Sequence, residues 1–235
     1  MRTTKLLTAA LIGAALVLSG CGGSSDAQPE GASQSGPYAG KTPKDVYDTT
    51  RKQAAEAASV RIKGDLVEGS DKVVMDLRIA RAGNVSGSLS MGSQGSLKLL
   101  VVDGTGFMLP GKDMLKTLSG GDAEVLKYLD GKWMELGQDA DSQGIMDLAD
   151  MDELSKMVLE PTGGEVTFVT GKEFDGRKTV GLEEQGSDSI IYVAADGSAE
   201  LVAIQAPDGD ITWSDWNEPV RVKAPKKVIT ADELS

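Results

Sequence analysis

The sequence predicts an α+β domain built on one large antiparallel β-sheet. Most segments alternate apolar and polar residues with a period of two, the helical segments are grouped together, and the connections are short and rich in Gly and Asp. A doubly wound parallel sheet would instead alternate strands with helices along the chain. The 235 residues contain 40% hydrophobic side chains, enough to bury the core of about one ordinary domain.

The N-terminal segment predicts secretion and lipid attachment. Arg2 and Lys5 precede an uncharged, mainly apolar run over residues 6–18, which is shorter than the roughly 20 residues needed to cross a bilayer as a helix. The following sequence, LSGC, resembles the lipobox of bacterial lipoproteins. That resemblance implies cleavage between Gly20 and Cys21 and a diacylglyceryl group on the Cys21 thiol. The alternative is an ordinary leader with a chance cysteine.

These features divide the chain into a signal peptide over residues 1–20, a lipidated Cys21 with a flexible linker over residues 21–41, and a folded domain over residues 42–235. The linker is mostly Gly, Ser, Ala, Gln and Pro without apolar periodicity. Its typical reach is about 25 Å. Because two acyl chains give stable anchoring, we expect the mature protein at the extracytoplasmic face of a cell membrane, held through Cys21.

The composition argues against several classes of function. A net charge of −12 argues against nucleic acid, which is bound mainly by clustered Lys and Arg. The chain has no His and one Cys, so a Ser-His-Asp or Cys-His nucleophile, structural zinc and an intramolecular disulfide are excluded. We therefore expect no catalytic residue, metal or cofactor, and a protein that is not an enzyme.

A carboxylate hydrolase is the enzymatic alternative that this composition leaves open. Two pairs of acids could supply it, Glu183 with Glu184 and Asp139 with Asp141. Neighbours along a strand point to opposite faces, however, and acid clusters in so acidic a chain are usually solvated. We therefore interpret both pairs as surface residues.

The first element is predicted to be a helix over residues 42–58. Thr42 can cap it, Pro43 suits its first turn, and Asp45 faces its positive end. From Ser59 the apolar period changes to two. This period predicts consecutive strands over residues 60–66, 73–79, 85–91 and 97–102, joined by turns at 69–71 and 83–84.

The middle of the chain is predicted to be mainly helical. Helices are expected over residues 112–118, 122–129 and 144–159, with a strand at 132–136 between the second and third. Six of the nine Met residues fall between Met108 and Met157. Flexible thioether side chains on amphipathic helices either fill the core or adapt to an apolar ligand.

Strands are predicted again from Glu165 onward, with three Asp-Gly dipeptides as tight turns. The strands are expected over 166–170, 178–184, 190–195, 201–206 and 211–216, and the turns at 175–176, 196–197 and 208–209.

Asp208 and Asp210 begin like an EF-hand loop, but Trp213 stands where Gly is required, so we predict a hairpin turn. Trp213 and Trp216 would form a sugar platform if exposed, but near a sheet edge they more often close the core.

The closing segment over residues 213–225, WSDWNEPVRVKAP, completes a familiar order of elements. With the lipobox, linker, first helix, strands and helical insert, it resembles the actinobacterial LppX/LprAFG lipoproteins of the LolA/LolB-like carrier superfamily, over about residues 42–230. The resemblance implies a curved half-barrel sheet with helices across its concave face, enclosing an apolar cavity. Characterised members bind acylated lipids or glycolipids there. Relatives often carry a cysteine pair in the body, which this chain lacks.

Candidate cavity residues follow from this resemblance together with strand and helix parity. On the sheet they are Ile62, Met75, Leu77 and Leu89. On the helical insert they are Met114, Leu115, Leu118, Leu126, Leu129, Met146, Leu148, Met151, Leu154 and Met157.

Our leading hypothesis is a membrane-anchored lipoprotein that binds and carries an apolar lipid or glycolipid between sheet and helices. Its partners would be the membrane through Cys21, the lipid ligand and an envelope transport protein, with no nucleic acid. The alternative is a non-carrying envelope lipoprotein that binds protein or cell wall through its acidic surface. The sequence leaves the ligand's identity and the oligomeric state open.

Overall fold

The computed structural model describes residues 36–69, 71–137, 140–147, 150–230 and 233. The predicted signal peptide, Gly20 and Cys21 therefore lie outside the described residues, as does the cavity candidate Leu148. In the described part of the chain, no helix is both long and apolar enough to cross a membrane.

The described chain contains helices and strands in an α+β arrangement, which confirms the predicted fold class. The helices are α1 (Pro43–Glu56), α2 (Lys112–Leu118), α3 (Ala123–Leu129), α4 (Ala140–Asp147) and α5 (Met151–Leu159). The strands are β1 (Ser59–Glu68), β2 (Asp71–Ala80), β3 (Val85–Met91), β4 (Ser96–Val102), β5 (Thr105–Pro110), β6 (Trp133–Glu135), β7 (Val166–Val169), β8 (Glu173–Phe174), β9 (Arg177–Glu184), β10 (Ile190–Ala194), β11 (Leu201–Ala206), β12 (Gly209–Ser214) and β13 (Val228–Ile229).

The strands form one open, curved sheet in the order β13-β6-β5-β4-β3-β2-β1-β12-β11-β10-β9-β7, with β8 paired to β9. Neighbours pair antiparallel, except that β13 runs parallel to β6. The prediction of a wholly antiparallel sheet was therefore wrong at this edge. The chain after β12 in the middle of the sheet passes five strands, β1 to β5, before β13 pairs with β6, which no hairpin could accomplish.

One face of this sheet is apolar across most of its width. Residues directly opposite each other in an antiparallel pair point to the same side. Ile62 faces both Leu77 and Trp213 in this way. A second row, two residues along each strand, runs through Leu182, Ile191, Ile204, Ile211, Gly64, Met75, Leu89 and Leu97. We call this surface the inner face.

Helix α1 packs its buried side chains Val46, Tyr47 and Ala54 into the main core. Its predicted start is confirmed, because the Thr42 hydroxyl accepts from the Asp45 amide at 3.1 Å while the Asp45 carboxylate accepts from the Thr42 amide at 3.1 Å. Such a capping box satisfies backbone donors at the first turn.

The single helix predicted over residues 144–159 was wrong, because the structure has α4 and α5 instead. The Asp150 carboxylate accepts hydrogen bonds from the amides of Asp152 at 2.7 Å and Glu153 at 3.1 Å. An Asp that caps new amide groups starts a helix and does not continue one. The result is a separate nine-residue helix, α5.

The predicted turn at Asp175-Gly176 is confirmed, with φ angles of 47° and 80° at its two residues. Between β11 and β12 the turn is shifted by one residue, because Gly209 already pairs with Ala206. A Cβ on Gly209 would lie 2.0 Å from the carbonyl oxygen of Asp65, so glycine is required by this close approach. The EF-hand-like sequence thus forms a hairpin, and the described residues contain no acidic cluster suited to a metal ion.

Candidate ligand-binding site

A small cavity lined by hydrophobic residues lies between the inner face, α1 and α5. Its volume is about 10 Å³, room for about one water molecule. Its lining residues are Ala54 of α1, Val60 and Ile62 of β1, Leu201 of β11, Trp213 of β12, Trp216, and Met151, Leu154 and Leu159 of α5. We call it the inner cavity.

The two tryptophans of the closing segment form one wall of the inner cavity. Trp213 is 6% exposed, which confirms its interpretation as a core residue. Trp216 is half-buried and its indole Nε1 donates to the carbonyl oxygen of Leu201 at 3.0 Å. The expectation of a sheet edge was wrong, because β12 lies between β1 and β11. This hydrogen bond fixes one indole above the cavity.

Three wider clefts surround the inner cavity, and each shares lining residues with it. A cleft of about 350 Å³ beside α1 shares Ala54, Leu201 and Trp216. A cleft of about 180 Å³ near α4 shares Met151. A third, of about 310 Å³ between α1 and α5, shares Leu159. Only one layer of side chains therefore separates the inner cavity from each cleft.

Arg81, in the turn between β2 and β3, connects α1 with α5. Its Nε donates to the carbonyl oxygen of Ala57 at 2.9 Å and its guanidinium also reaches that of Ala54 at 3.3 Å. The same guanidinium forms an ion pair with Asp152 in the first turn of α5. Because Asp152 is 60% exposed, this ion pair stabilises the position of α5 only weakly.

Glu184 is a buried acid on the inner face, 6% exposed. Its carboxylate accepts from the Gly163 amide at 2.8 Å, the Gly164 amide at 3.2 Å and the Tyr47 hydroxyl at 3.3 Å. Burial opposes its charge, but these hydrogen bonds and those of the adjacent Thr162 lower the pKa of Glu184 below its usual value.

The predicted pair of acids on β9 is divided by the pleat of the strand. Glu183 is exposed and Glu184 is buried, which confirms that the two side chains point to opposite faces. The expectation that both are solvated was wrong for Glu184, because the loop before β7 covers it with amide donors. With its oxygens held by these donors, Glu184 supports the fold at the junction of α1 and β9. Asp139 lies outside the described residues.

The structure places the predicted cavity residues in two separate clusters. Ile62, Met75, Leu77, Leu89, Met114 and Met151 are buried in the main core, with Met146 and Leu154 half-buried against it. Leu115 and Leu129 belong instead to a second cluster with Met134 and Ile229. Leu126 is half-buried. Leu118 is 47% exposed, a position that does not fit a cavity wall. The Met157 side chain lies outside the described part.

Ile62, Met151 and Leu154 are the predicted residues that line the inner cavity. The analysis missed its other lining residues: Ala54, Val60, Leu159, Leu201, Trp213 and Trp216. Val60 has the same strand parity as Ile62 and could have been found by that signal. Leu201 and Trp213 could not, since nothing local in the sequence indicates that β12 pairs with β1 and is followed in the sheet by β11.

Comparisons with known proteins support the fold. The sequence matches no protein-family model and no curated protein. The solved structure of LprF from Mycobacterium bovis is similar, with a TM-score of 0.56 and 16% identity over 78% of this chain and 96% of LprF. The Mycobacterium tuberculosis lipoprotein LppX has a TM-score of 0.47 and 16% identity over 77% of this chain and 98% of LppX. The likeness to LprF confirms the predicted resemblance, and the chain has the fold of the LppX/LprAFG-type lipoproteins.

Proposed function

We propose that the protein is a membrane-anchored lipoprotein that binds an acylated lipid or glycolipid beneath α5 and carries it within the cell envelope. The observation that carries this proposal is the inner cavity, which is lined only by residues with hydrophobic side chains and which α5 separates from two of the neighbouring clefts. The LprF-like fold supports it as well. No covalent chemistry is required, so the protein is not an enzyme.

Binding requires α5 to move away from the inner face. Ligand pockets typically measure about 300–1,000 Å³, whereas the inner cavity measures about 10 Å³. Displacement of the Met151 and Leu159 side chains would join it to the clefts of about 180 and 310 Å³. Each methylene buried there would contribute about 0.8 kcal/mol, which would offset the loss of contacts made by α5.

Attachment to the membrane would come from Cys21. The lipobox and the linker over residues 21–41 would hold the folded domain about 25 Å from the extracytoplasmic surface, within reach of lipid on that surface. An envelope transport protein would supply or receive the ligand.

Native mass spectrometry with organic extraction tests this function. The Cys21→Ala protein lacking the leader is purified from its own host, so that bound lipid is retained. We expect discrete adducts that disappear on extraction and decrease in Met151→Asp, which places a charge on the 5% exposed wall residue of α5. Glu153→Gln on the exposed side of the same helix is the matched control and should keep the adducts.

A single mass without adducts for the Cys21→Ala protein that carries no further substitution would contradict lipid carriage. The acidic surface would then be tested as a docking site for an envelope protein, by crosslinking at low and high salt. If Met151→Asp fails to fold, Leu154→Asp at a half-buried lining position provides a milder version of the same test.

A further inference from the structure

Arg51 of α1 lacks the carboxylate partner that most arginines of the described residues have. Arg61, Arg78, Arg81 and Arg177 each pair with a carboxylate. The Arg51 guanidinium carbon instead lies 6.0 Å from the centroid of the Tyr47 ring. Its Nε is buried and has no hydrogen-bond acceptor among the residues that the structure describes. A buried donor without a partner costs free energy, so its retention requires an explanation.

Arg51 lines the cleft between α1 and α5, which we call the outer cleft. This space of about 310 Å³ has Ala55 and Leu159 as its apolar part and Arg51, Asp152, Lys156 and Glu160 as its charged part. Leu159 also lines the inner cavity, so the two spaces meet at one side chain. An acyl chain in the inner cavity could therefore extend its polar end into the outer cleft.

The charges of the outer cleft leave its two cations available to a ligand. Asp152 is already paired with Arg81. Lys156 pairs with Glu153 at 2.8 Å, but both side chains are more than half exposed, so this pair is easily exchanged. Glu160, the remaining acid, would oppose an anion. A partly buried guanidinium is a strong site for phosphate, because its planar donors bind two oxygens at once.

We propose that the outer cleft binds the anionic phosphate headgroup of the ligand through Arg51 and Lys156, while the acyl chains lie in the inner cavity. This inference rests on the proposed lipid-binding function and names the ligand class as a phospholipid. Arg51 determines specificity for charge, and Glu160 limits the affinity.

Isothermal titration calorimetry with two matched probes tests the proposal. Dioctanoyl phosphatidic acid and dioctanoylglycerol have the same chains and differ in the phosphate. We expect the Cys21→Ala protein to bind the phosphatidic acid about tenfold more tightly, which corresponds to about 1.4 kcal/mol. Arg51→Gln should remove this preference and Glu160→Gln should increase it. Lys44→Gln, at a 72% exposed position on the same helix, should leave it unchanged.

The outcomes separate this inference from the function on which it rests. Equal affinity for both probes, unchanged by Arg51→Gln, would overturn the headgroup site and leave lipid binding intact. Binding of neither probe would overturn both proposals. Inorganic phosphate bound as tightly as phosphatidic acid would show an anion site unconnected with lipid, which also overturns the inference. The opposite effect expected of Glu160→Gln keeps the test decisive if Arg51→Gln is unstable.

Discussion

The hydroxyl of Tyr47 lies 3.3 Å from Oε2 of Glu184 and joins α1 to β9, near the end of the sheet opposite to β13. Burial, reinforced by the negative charge of Glu184, raises the pKa of Tyr47 to about 12. The hydrogen bonds that hold Glu184 overcome its burial and lower its pKa. The folded state therefore favours a neutral phenol and an ionised carboxylate, and each preference makes stability depend on pH.

At acidic pH we expect Glu184 to lose its stabilising contribution. Its pKa is about 4.5 when unperturbed and lower in the folded protein, so the contribution is present above pH 4.5 and falls as pH drops through the folded value. Glu184→Gln should cost about 1–3 kcal/mol at pH 7, and the difference from the unaltered protein should shrink below pH 4.5. Urea unfolding at pH 7 and pH 3.5 measures this; a constant difference would contradict it.

At alkaline pH we expect the Tyr47 contribution to disappear. The unfolded phenol ionises near 10.0 and the folded one near 12, so its stabilisation is complete below pH 10 and is lost between these values. Tyr47→Phe should therefore lose less stability than the unaltered protein between pH 9 and pH 11. Absorbance titration provides a second measurement, in which the variant should lack one late-ionising tyrosine. Identical titrations would show that Tyr47 is not perturbed.

The contacts of Arg81 predict separate effects on α1 and α5. Asp152→Asn removes the ion pair but leaves both bonds to the α1 carbonyls, so amide hydrogen exchange should rise in α5 alone. Arg81→Ala removes all three contacts and should raise exchange in α5 and at the C-terminal end of α1. If the two variants give the same exchange pattern, Arg81 does not link the helices.

Two glycines predict opposite changes in stability. A Cβ on Gly106 of β5 would lie 2.7 Å from Sδ of Met146 and 2.8 Å from Cδ1 of Leu136, so Gly106→Ala should cost about 1–3 kcal/mol. Gly144 in α4 has no described atom within 4 Å of such a Cβ, so Gly144→Ala should stabilise by about 1 kcal/mol. Thermal unfolding of both variants provides the measurement, and a stabilising Gly106→Ala would mean that α4 does not pack against β5.

Sequence patterns within a few residues predicted the helices, strands and turns better than they predicted which strands pair with each other. The cap at Thr42 and the turn at Asp175 involve residues only a few positions apart, and both are confirmed. Strand β5 was missed because Gly104 and Gly106 weaken its apolar pattern, although Gly104 adopts a φ of 81° in the turn before the strand and Gly106 allows a close approach of Met146 and Leu136. The parallel pair of β13 with β6 depends on contacts between distant segments, which alternation within either strand does not encode.

The candidate site was predictable only in part for the same reason. Parity identified Ile62 as a residue of the inner face, and helical spacing identified Met151 and Leu154. The same reasoning included Leu118, which is exposed, because a seven-residue helix has too few turns to define one buried side. Arg51 has no signal in the sequence, since its missing partner is a property of the folded surroundings.

The position of β1, between β2 and β12, has a consequence for the order of folding. Strand β2 directly follows β1 in the chain. The pair that Ile62 makes with Trp213 of β12, however, requires nearly the whole domain to have been synthesised. Sheets that depend on such distant pairs close slowly, because loop entropy is lost before the contacts are gained. We therefore expect the polypeptide to stay unfolded until β12 is available, which would keep it competent for the export that the proposed signal peptide requires.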